Sequence, residues 1–208
     1  MDDSFTDGIF PDSLKLARVI PIFKSGNKSD VDNYRAISIL SIFSKIFEKA
    51  YFDRLFSFLS KYRILYDKQF GFRPGRSTID ALSELTEKIR DANDMDFSCV
   101  FLDLRKAFDT INHEILLAKI ERYGVRGVAW KWIKSYLSDR SQVVVINGIS
   151  SERLTIECGV PQGSILGPLL FLIYINDLPN TSSILEYYTF ADDTASIYQK
   201  KKSGISVK

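Results

Sequence analysis

The chain has 208 residues, 45% of them hydrophobic, so it is long and apolar enough to bury a core as one or two closely joined subdomains. Its net charge of only +2 excludes the general basic excess of a protein that coats nucleic acid nonspecifically, so any nucleic-acid surface must be local. Its two cysteines and one histidine exclude a disulfide framework and a four-ligand zinc site built by this chain alone.

Nothing in the sequence is typical of secretion or of membrane insertion. The first 18 residues are polar and acidic, unlike a signal peptide. The longest apolar stretch, Ile165 to Ile175, is too short to span a bilayer and contains Gly167-Pro168. We therefore expect a soluble intracellular chain without a membrane partner, whose cysteines, Cys99 and Cys158, are buried and inert thiols.

Basic and aromatic residues alternate in loop-rich segments of the N-terminal third. The basic residues are Lys24, Lys28, Arg35, Arg73 and Arg76, and the aromatic ones are Phe23, Tyr34, Phe70 and Phe72. Such mixtures can contact phosphates and stack on bases. The pattern predicts a local surface for nucleic acid.

Two amphipathic helices are predicted in the first half of the chain. The first runs from Ser41 to Lys61, with an apolar stripe at Phe43, Phe47, Ala50 or Tyr51, Leu55, and Phe58 or Leu59. The second begins at the helix-start signature Ser77-Thr78-Ile79-Asp80, and its stripe is Ile79, Leu82, Leu85 and Ile89.

One acid follows an apolar run in the middle of the chain. Ser98 to Leu104 has the length and composition of a strand buried on both faces, and it contains Asp103. A buried acid is costly unless it is paired or bound to a metal. Arg105 to Ile115 has apolar residues at helical spacing, so we expect Asp103 at a strand-to-helix junction.

The next segments predict a helix, a hairpin and a loop. Trp130 to Leu137 is typical of a short helix, and the strands from Gln142 to Ile146 and near Leu154 to Cys158 are joined by a turn at Asn147-Gly148. Glycines and prolines then fix an irregular loop from Cys158 to Pro168. Composition alone favours a plain connecting loop there.

Two further acids, Asp192 and Asp193, lie between strand-like segments near the end of the chain. Alone, such a pair is more often a surface turn than a site, because Asp favours turns. Together with Asp103, the pair can hold two divalent cations, since Mg²⁺ binds through one or two carboxylates plus substrate phosphates.

Seven segments, taken in order, carry a resemblance to a known family. They are Gly8–Asp12 with Ile20–Gly26, Asn33–Ser38, Gln69–Arg73, Phe101–Asp109, Gly159–Ser164, Tyr174–Asp177 and Phe190–Asp193. The chain resembles the reverse transcriptase domain of non-LTR (LINE-type) retrotransposons, most closely the jockey-like and CR1-like elements, through nearly its whole length.

The resemblance implies a role for each matching site residue. The catalytic acids and metal ligands would be Asp103 and Asp192, with Asp193 as a weaker or outer ligand and the main-chain carbonyl of Leu104 facing a metal. The residues that bind the incoming nucleotide would be Lys24, Arg35, Phe108, Gln162 and Gly163. Arg73 and Arg76 would contact the template backbone.

Several of these residues also have an ordinary structural interpretation. Helical spacing alone would make Phe108 a core residue, whereas in the family the matching aromatic clashes with a 2′-hydroxyl and selects deoxynucleotides. Lys24 and Arg35 would otherwise be solvated charges, although Arg can bind phosphate through two parallel bonds.

The implied fold is α+β, with the fingers and palm of a right-hand polymerase and an antiparallel palm sheet carrying helices on one face. Residues 1–95 would be the fingers region with the start of the palm, and residues 96–208 the palm with the catalytic acids. The thumb and later palm motifs would be absent, and the lysine that those later motifs supply as proton donor to pyrophosphate is not assigned among Lys200, Lys201 and Lys202. Ala36 departs from the proline usual after the arginine at position 35.

The implied function is RNA-directed DNA synthesis on an RNA template and DNA primer, with deoxynucleoside triphosphates as substrates and two Mg²⁺ ions, or Mn²⁺, as cofactor. Two alternatives remain open. One is a truncated or repurposed fragment that binds RNA or a protein partner without polymerising. The other is a different two-metal palm enzyme, such as an RNA-templated RNA polymerase or a nucleotide cyclase.

Overall fold

The computed structural model describes residues 1–92 and 95–201. The helices are α1 (Asp2–Asp7), α2 (Ile42–Lys61), α3 (Thr78–Arg90), α4 (His113–Arg122), α5 (Gly127–Leu137) and α6 (Leu166–Ile175). The strands are β1 (Leu16–Phe23), β2 (Tyr34–Ile39), β3 (Met95–Leu102), β4 (Ser141–Ile146), β5 (Ile149–Ser150), β6 (Leu154–Thr155), β7 (Leu185–Phe190) and β8 (Asp193–Lys201).

Two compact units interleave along the chain. The first comprises residues 1–62 and 108–174, and the second comprises residues 63–107 and the chain from Ile175 onward. Helices and strands are interspersed along the chain, and most strand pairs are antiparallel. The mixed helix and strand content expected from the sequence is therefore present. The boundary proposed between fingers and palm at residue 95 remains a prediction.

The first unit contains a mixed sheet in the order β2-β1-β4-β5, with β6 also paired to β4. β1 is antiparallel to β2 and parallel to β4. Aromatic rings form much of the buried core of this unit: Trp132 stacks on Tyr51 with ring centroids 4.4 Å apart, and Phe10 meets Trp132 edge to face at 5.3 Å. Such ring pairs add to the gain from burying apolar area.

The helix predicted from Ser41 to Lys61 is confirmed as α2, with Ser41 as its N-cap. Its buried stripe is shifted from the predicted one: Ser44, Glu48, Tyr51, Leu55 and Leu59 are buried, whereas Phe43 is 64% exposed. The predicted stripe was therefore wrong in the first two turns, where the buried positions are polar.

The second unit contains the antiparallel sheet β3-β8-β7, and α3 packs against it. The predicted helix start is confirmed, because Ser77 and Asp80 form a reciprocal capping box. The core cluster on this side of the sheet is Phe70, Leu85, Tyr188, Ala195 and Ile197. Leu85 is the one member of the predicted α3 stripe in that core, and Ile79 and Leu82 are 75% and 61% exposed.

Two expectations about the segment around Asp103 were wrong. β3 is an edge strand of its sheet, with Val100 and Phe101 53% and 73% exposed, so it is not buried on both faces. The following helix begins at His113 instead of Arg105, because the side chain of Asn112 caps it by accepting from Ile115 N–H. The segment between Asp103 and the helix is therefore a series of turns instead of a helix.

The cysteine expectation also needs correction, because Cys158 is exposed and Cys99 is half-buried. Of the three lysines considered as the proton donor to pyrophosphate, Lys202 lies outside the described residues. Among the helices that the structure describes, none combines the length and the apolarity required to cross a bilayer.

Candidate active site

Asp103 lies at one end of the three-stranded sheet. Leu102, the last residue of β3, pairs with Thr194 of β8, and Asp103 is the next residue along the chain. Because β3 and β8 are antiparallel, Asp103 leaves β3 at the end of the sheet where Asp193 begins β8. The neighbourhood of these strands, which the resemblance implied, is present in the structure.

The other acid is held in a tight hairpin turn at the same end. Phe190 of β7 pairs with Asp193 of β8, so Ala191 and Asp192 are the two residues of the turn between them. Asp103 and Asp193 are exposed, and Asp192 is half-buried. The sequence argument that a metal must offset the burial of Asp103 therefore fails, and the case for this site rests on position instead.

The donor chemistry at this end of the sheet fits a hard divalent cation. Within the residues that the structure describes, no three His, Cys, Asp or Glu side chains gather closely enough to form a complete metal site. Mg²⁺ is usually held by one or two carboxylates, with waters and substrate phosphates supplying the other ligands. Asp103 and Asp192 fit an open site of that kind, and Leu104 and Asp193 remain predicted additional ligands.

The residues predicted to bind the nucleotide belong to the first unit. Gln162 is joined to β2 by its carbonyl, which accepts from Ser38 N–H at 2.8 Å, and its side-chain amide donates to the carboxylate of Asp109 at 3.0 Å. Gly163 has φ +113°, and a Cβ there would lie 2.7 Å from the carbonyl oxygen of Ser38. Only glycine allows this approach, so the loop packs its backbone directly against β2.

The same loop is fixed on its other side by the turn region that follows Asp103. Val160 N–H donates to the carbonyl of Phe108 at 2.9 Å, and Gly159 N–H donates to that of Ile111 at 2.8 Å. A nitrogen of the His113 ring lies 2.7 Å from the carbonyl oxygen of Gly159. These contacts join the segment around Phe108 to the segment around Gln162 within one unit.

Phe108 itself is half-buried and stacks on Phe171, with ring centroids 4.9 Å apart and planes at 28°. This contact supports the core interpretation for part of the ring. The exposed remainder is compatible with the predicted contact to a sugar, which stays a prediction.

Lys24 and Arg35 occupy the hairpin of β1 and β2. Arg35 pairs with Ile22, and Lys24 lies two residues beyond Ile22, so by strand alternation Lys24 and Arg35 belong to the same face of the hairpin. Both side chains are exposed. Two exposed cations on one face of a hairpin suit a polyphosphate.

Arg73 and Arg76, predicted to contact the template, are partly engaged within the second unit. Arg73 Nη1 donates to the carbonyls of Tyr66 and Gln69 at 2.8 and 3.3 Å, and burial lowers the pKa of its guanidinium. Arg76 lies over the ring of Phe70, 5.3 Å from its centroid. Each has a structural contact in addition to any role toward nucleic acid.

Two acids of the first unit were not identified as functional from the sequence. Asp109 orients Gln162, as described above. The sequence signal that could have identified Asp109 is its place in a segment that resembles the family. Glu48 is fully buried and accepts from the backbone N–H groups of Ile165 and Leu166 at 2.6 and 3.2 Å, so it caps the start of α6 directly after the Gly163 loop. An acid on the buried stripe of α2 was the only local signal for Glu48.

Comparisons with known proteins identify the family of the chain. Residues 24–207 match the family model described as reverse transcriptase (RNA-dependent DNA polymerase). The chain is 38% identical over 205 residues to the probable RNA-directed DNA polymerase from transposon BS of Drosophila melanogaster, in a match that covers 91% of this chain and 22% of the relative. It is 34% identical over 204 residues to the RNA-directed DNA polymerase from mobile element jockey of the same species, covering 93% of this chain and 22% of the relative.

Solved structures share the fold. Apo telomerase from Candida tropicalis, truncated from its C-terminal domain, superposes with a TM-score of 0.63 at 15% identity, covering 91% of this chain and 45% of that one. Telomerase from Candida albicans gives a TM-score of 0.61 at 12% identity, covering 91% of this chain and 38% of that one. The chain thus spans 22% of the length of the curated relatives named above and shares its fold with part of telomerase. It belongs to the reverse transcriptase (RNA-dependent DNA polymerase) family, with relatives among the polymerases of non-LTR retrotransposons.

Proposed function

We propose that the chain is the RNA-directed DNA polymerase domain of a non-LTR retrotransposon and adds deoxynucleotides to the 3′-hydroxyl of a DNA primer on an RNA template. The observation that carries the proposal is the pairing of Leu102 with Thr194, which brings Asp103 to the end of the sheet where the Asp192–Asp193 turn lies. Family membership then gives this pair of acids its chemical meaning.

Asp103 and Asp192 would hold two Mg²⁺ ions, or Mn²⁺, with Asp193 and the carbonyl of Leu104 as additional ligands. When bound, the ions supply charge stabilisation for the in-line displacement of pyrophosphate by the primer hydroxyl. The protein's own contribution at this end of the sheet is to hold two carboxylates in place and accessible to divalent cations. The strands next to them, β3, β7 and β8, are paired over their full length, which suits that purpose.

The substrate contacts follow from charge and shape. Lys24 and Arg35 would bind the triphosphate of the incoming nucleotide, since hydrogen bonds between cations and phosphate are stronger than neutral ones. Ala36 leaves that contact possible, because Arg35 is held in β2 by its pairing with Ile22. Gln162, oriented by Asp109, and the open backbone at Gly163 would contact the nucleotide near its sugar, and Phe108 would exclude a 2′-hydroxyl.

The template would be bound by the part of the second unit that carries Arg73 and Arg76. Both side chains are half-buried and fixed by contacts within the unit, Arg73 by backbone carbonyls and Arg76 by Phe70 and by Glu84 at 3.8 Å, so phosphates would bind to the accessible part of each guanidinium. A contribution of this kind should weaken as salt concentration rises.

Primer extension tests the reaction class. The purified chain should extend a DNA primer on an RNA template with Mg²⁺ and deoxynucleotides, and Asp192→Asn should abolish extension without changing the unfolding transition. Extension with ribonucleotides in preference to deoxynucleotides would instead support an RNA polymerase. If the folded chain binds RNA but extends no primer, the polymerase proposal is wrong and the binding fragment is the better account.

A further inference from the structure

Ala191 adopts a backbone conformation that needs support from its surroundings. It is the first residue of the turn before Asp192, and its φ is +56°. Glycine is the usual residue with positive φ in two-residue hairpin turns, and residues with a side chain are rare there. Something outside the hairpin must therefore hold the turn in this form.

The side chain of Gln69 supplies that support. Its Oε1 accepts from Ala191 N–H at 3.0 Å, and its Nε2 donates to the carbonyl of Ala191 at 3.3 Å. Both polar groups of the Ala191 backbone are thus engaged by one amide, which is itself only 4% exposed. In a buried environment such bonds are costly to lose, because the freed groups have no water to bind.

Gln69 is in turn fixed by its own neighbours. Its Oε1 also accepts from Gly71 N–H at 2.8 Å, and its backbone carbonyl accepts from Arg73. The flanking residues pair with β7, since Thr189 N–H donates to the carbonyl of Lys68 at 2.9 Å and Phe70 N–H donates to that of Thr189 at 2.8 Å. The amide is therefore held in place by contacts other than those that it makes to the turn.

Gly71 lets this segment reach the turn. A Cβ at Gly71 would lie 2.1 Å from the backbone nitrogen of Ala191, which no side chain could tolerate without moving the turn. The segment from Gln69 to Gly71 thus lies directly against the backbone that precedes Asp192. This contact lies entirely within the second unit.

We propose that Gln69 is a positioning residue that locks the Ala191–Asp192 turn and so sets where the Asp192 carboxylate is presented to a divalent cation. The inference rests on the proposed function for its catalytic meaning, whereas the lock itself stands on the hydrogen bonds. Glutamine suits the task because one amide both accepts and donates. A glutamate would keep the two accepted bonds but place a carboxylate against the Ala191 carbonyl, and a methionine of similar length would keep none.

The test compares Gln69→Met and Gln69→Glu with Thr189→Val in the full chain. Thr189 Oγ1 bonds the carbonyl of Lys68 in the same segment without touching the turn, so its variant controls for general loosening. Hydrogen exchange of the Ala191 amide should accelerate at least tenfold in Gln69→Met, less in Gln69→Glu, and not in Thr189→Val. The Mg²⁺ concentration for half-maximal primer extension should rise in the same order, with primer–template affinity unchanged.

Ala191 exchange as slow in folded Gln69→Met as in the parent chain would overturn the lock, whatever the polymerase activity. Faster exchange with an unchanged Mg²⁺ requirement would overturn the positioning role. If the parent chain extends no primer, the proposed function fails while the exchange measurement still decides the lock. Should Gln69→Met not fold, Gln69→Glu decides the lock, because it loses the bond to the Ala191 carbonyl: Ala191 exchange no faster than in Thr189→Val would overturn the lock.

Discussion

Leu102 and Thr194 face each other across the ladder between β3 and β8, and this one pairing places Asp103 at the end of the sheet where the Asp192 turn lies. A shift of β3 by one residue would move every side chain of the strand to the opposite face. The position of the first acid thus depends on the register of an edge strand that is largely exposed.

Phe108 tests sugar selection. Phe108→Ala should admit ribonucleotides, lowering the ratio of kcat/KM for deoxynucleotides over ribonucleotides by about tenfold or more, equivalent to about 1.4 kcal/mol. Loss of the stack on Phe171 should also lower the free energy of unfolding by about 2 kcal/mol, less than for a fully buried ring. Single-nucleotide incorporation measures the first effect and urea unfolding the second. An unchanged ratio would show that Phe108 serves the core alone.

Lys24 and Arg35 test the binding of triphosphate. Lys24→Ala and Arg35→Ala should each raise KM for deoxynucleotides by about tenfold, because each removes a charge-assisted bond of about 1.5–3 kcal/mol. Lys49→Ala is the matched control, since Lys49 is an exposed cation of α2 paired with Asp53. Equal effects in all three variants would mean that general charge, instead of the hairpin face, attracts the nucleotide.

Glu48 tests the support of the Gly163 loop. Its carboxylate accepts from Ser44 Oγ at 2.8 Å as well as from two backbone groups at the start of α6. Glu48→Gln should therefore lower the free energy of unfolding by about 2 kcal/mol, because an amide cannot accept all of these bonds. Urea unfolding measures this loss, with the exposed Glu87→Gln as control. A variant as stable as the parent would contradict the capping role.

Asp80 gives a prediction for pH. The Ser77 hydroxyl and then the Ser77 backbone N–H hold the pKa of Asp80 below its ordinary value of 3.8. The folded state thus favours the ionised carboxylate, so its stabilising effect is present above pH 3.8 and lost as pH falls through the lower folded pKa. Urea unfolding should show Asp80→Asn to be less stable than the parent at pH 7 and the difference to shrink at pH 3. A difference that does not vary with pH would exclude the carboxylate as its source.

The features predicted correctly from residues alone are local. The capping box of Ser77 and Asp80 and the helix between Ser41 and Lys61 depend on residues a few positions apart, so the sequence contains the whole signal. The prediction that a helix begins at Arg105 was wrong because the contacts that decide this segment are not local. Its backbone pairs instead with the distant loop at Gly159 and Val160, and periodicity carries no information about that partner.

The candidate site shows the same division. Composition made β3 look fully buried, whereas its place at the sheet edge is set by long-range pairing with β8. The neighbourhood of Asp103 and Asp192 came from the family resemblance and was then found in the register. Glu48 was missed because the backbone groups that it caps, at Ile165 and Leu166, lie more than a hundred positions away in sequence.

The most direct test of the account compares Asp103→Asn with Asp96→Asn in primer extension on an RNA template with Mg²⁺. Both acids belong to the same segment of chain and both are exposed, but Asp96 lies toward the other end of β3, where it pairs with Lys200. Asp103→Asn should lower the rate by about a hundredfold or more, as loss of a group that stabilises transition-state charge does. Asp96→Asn should extend the primer as the parent does. Equal rates for the two variants would contradict the assignment of this sheet end as the active site.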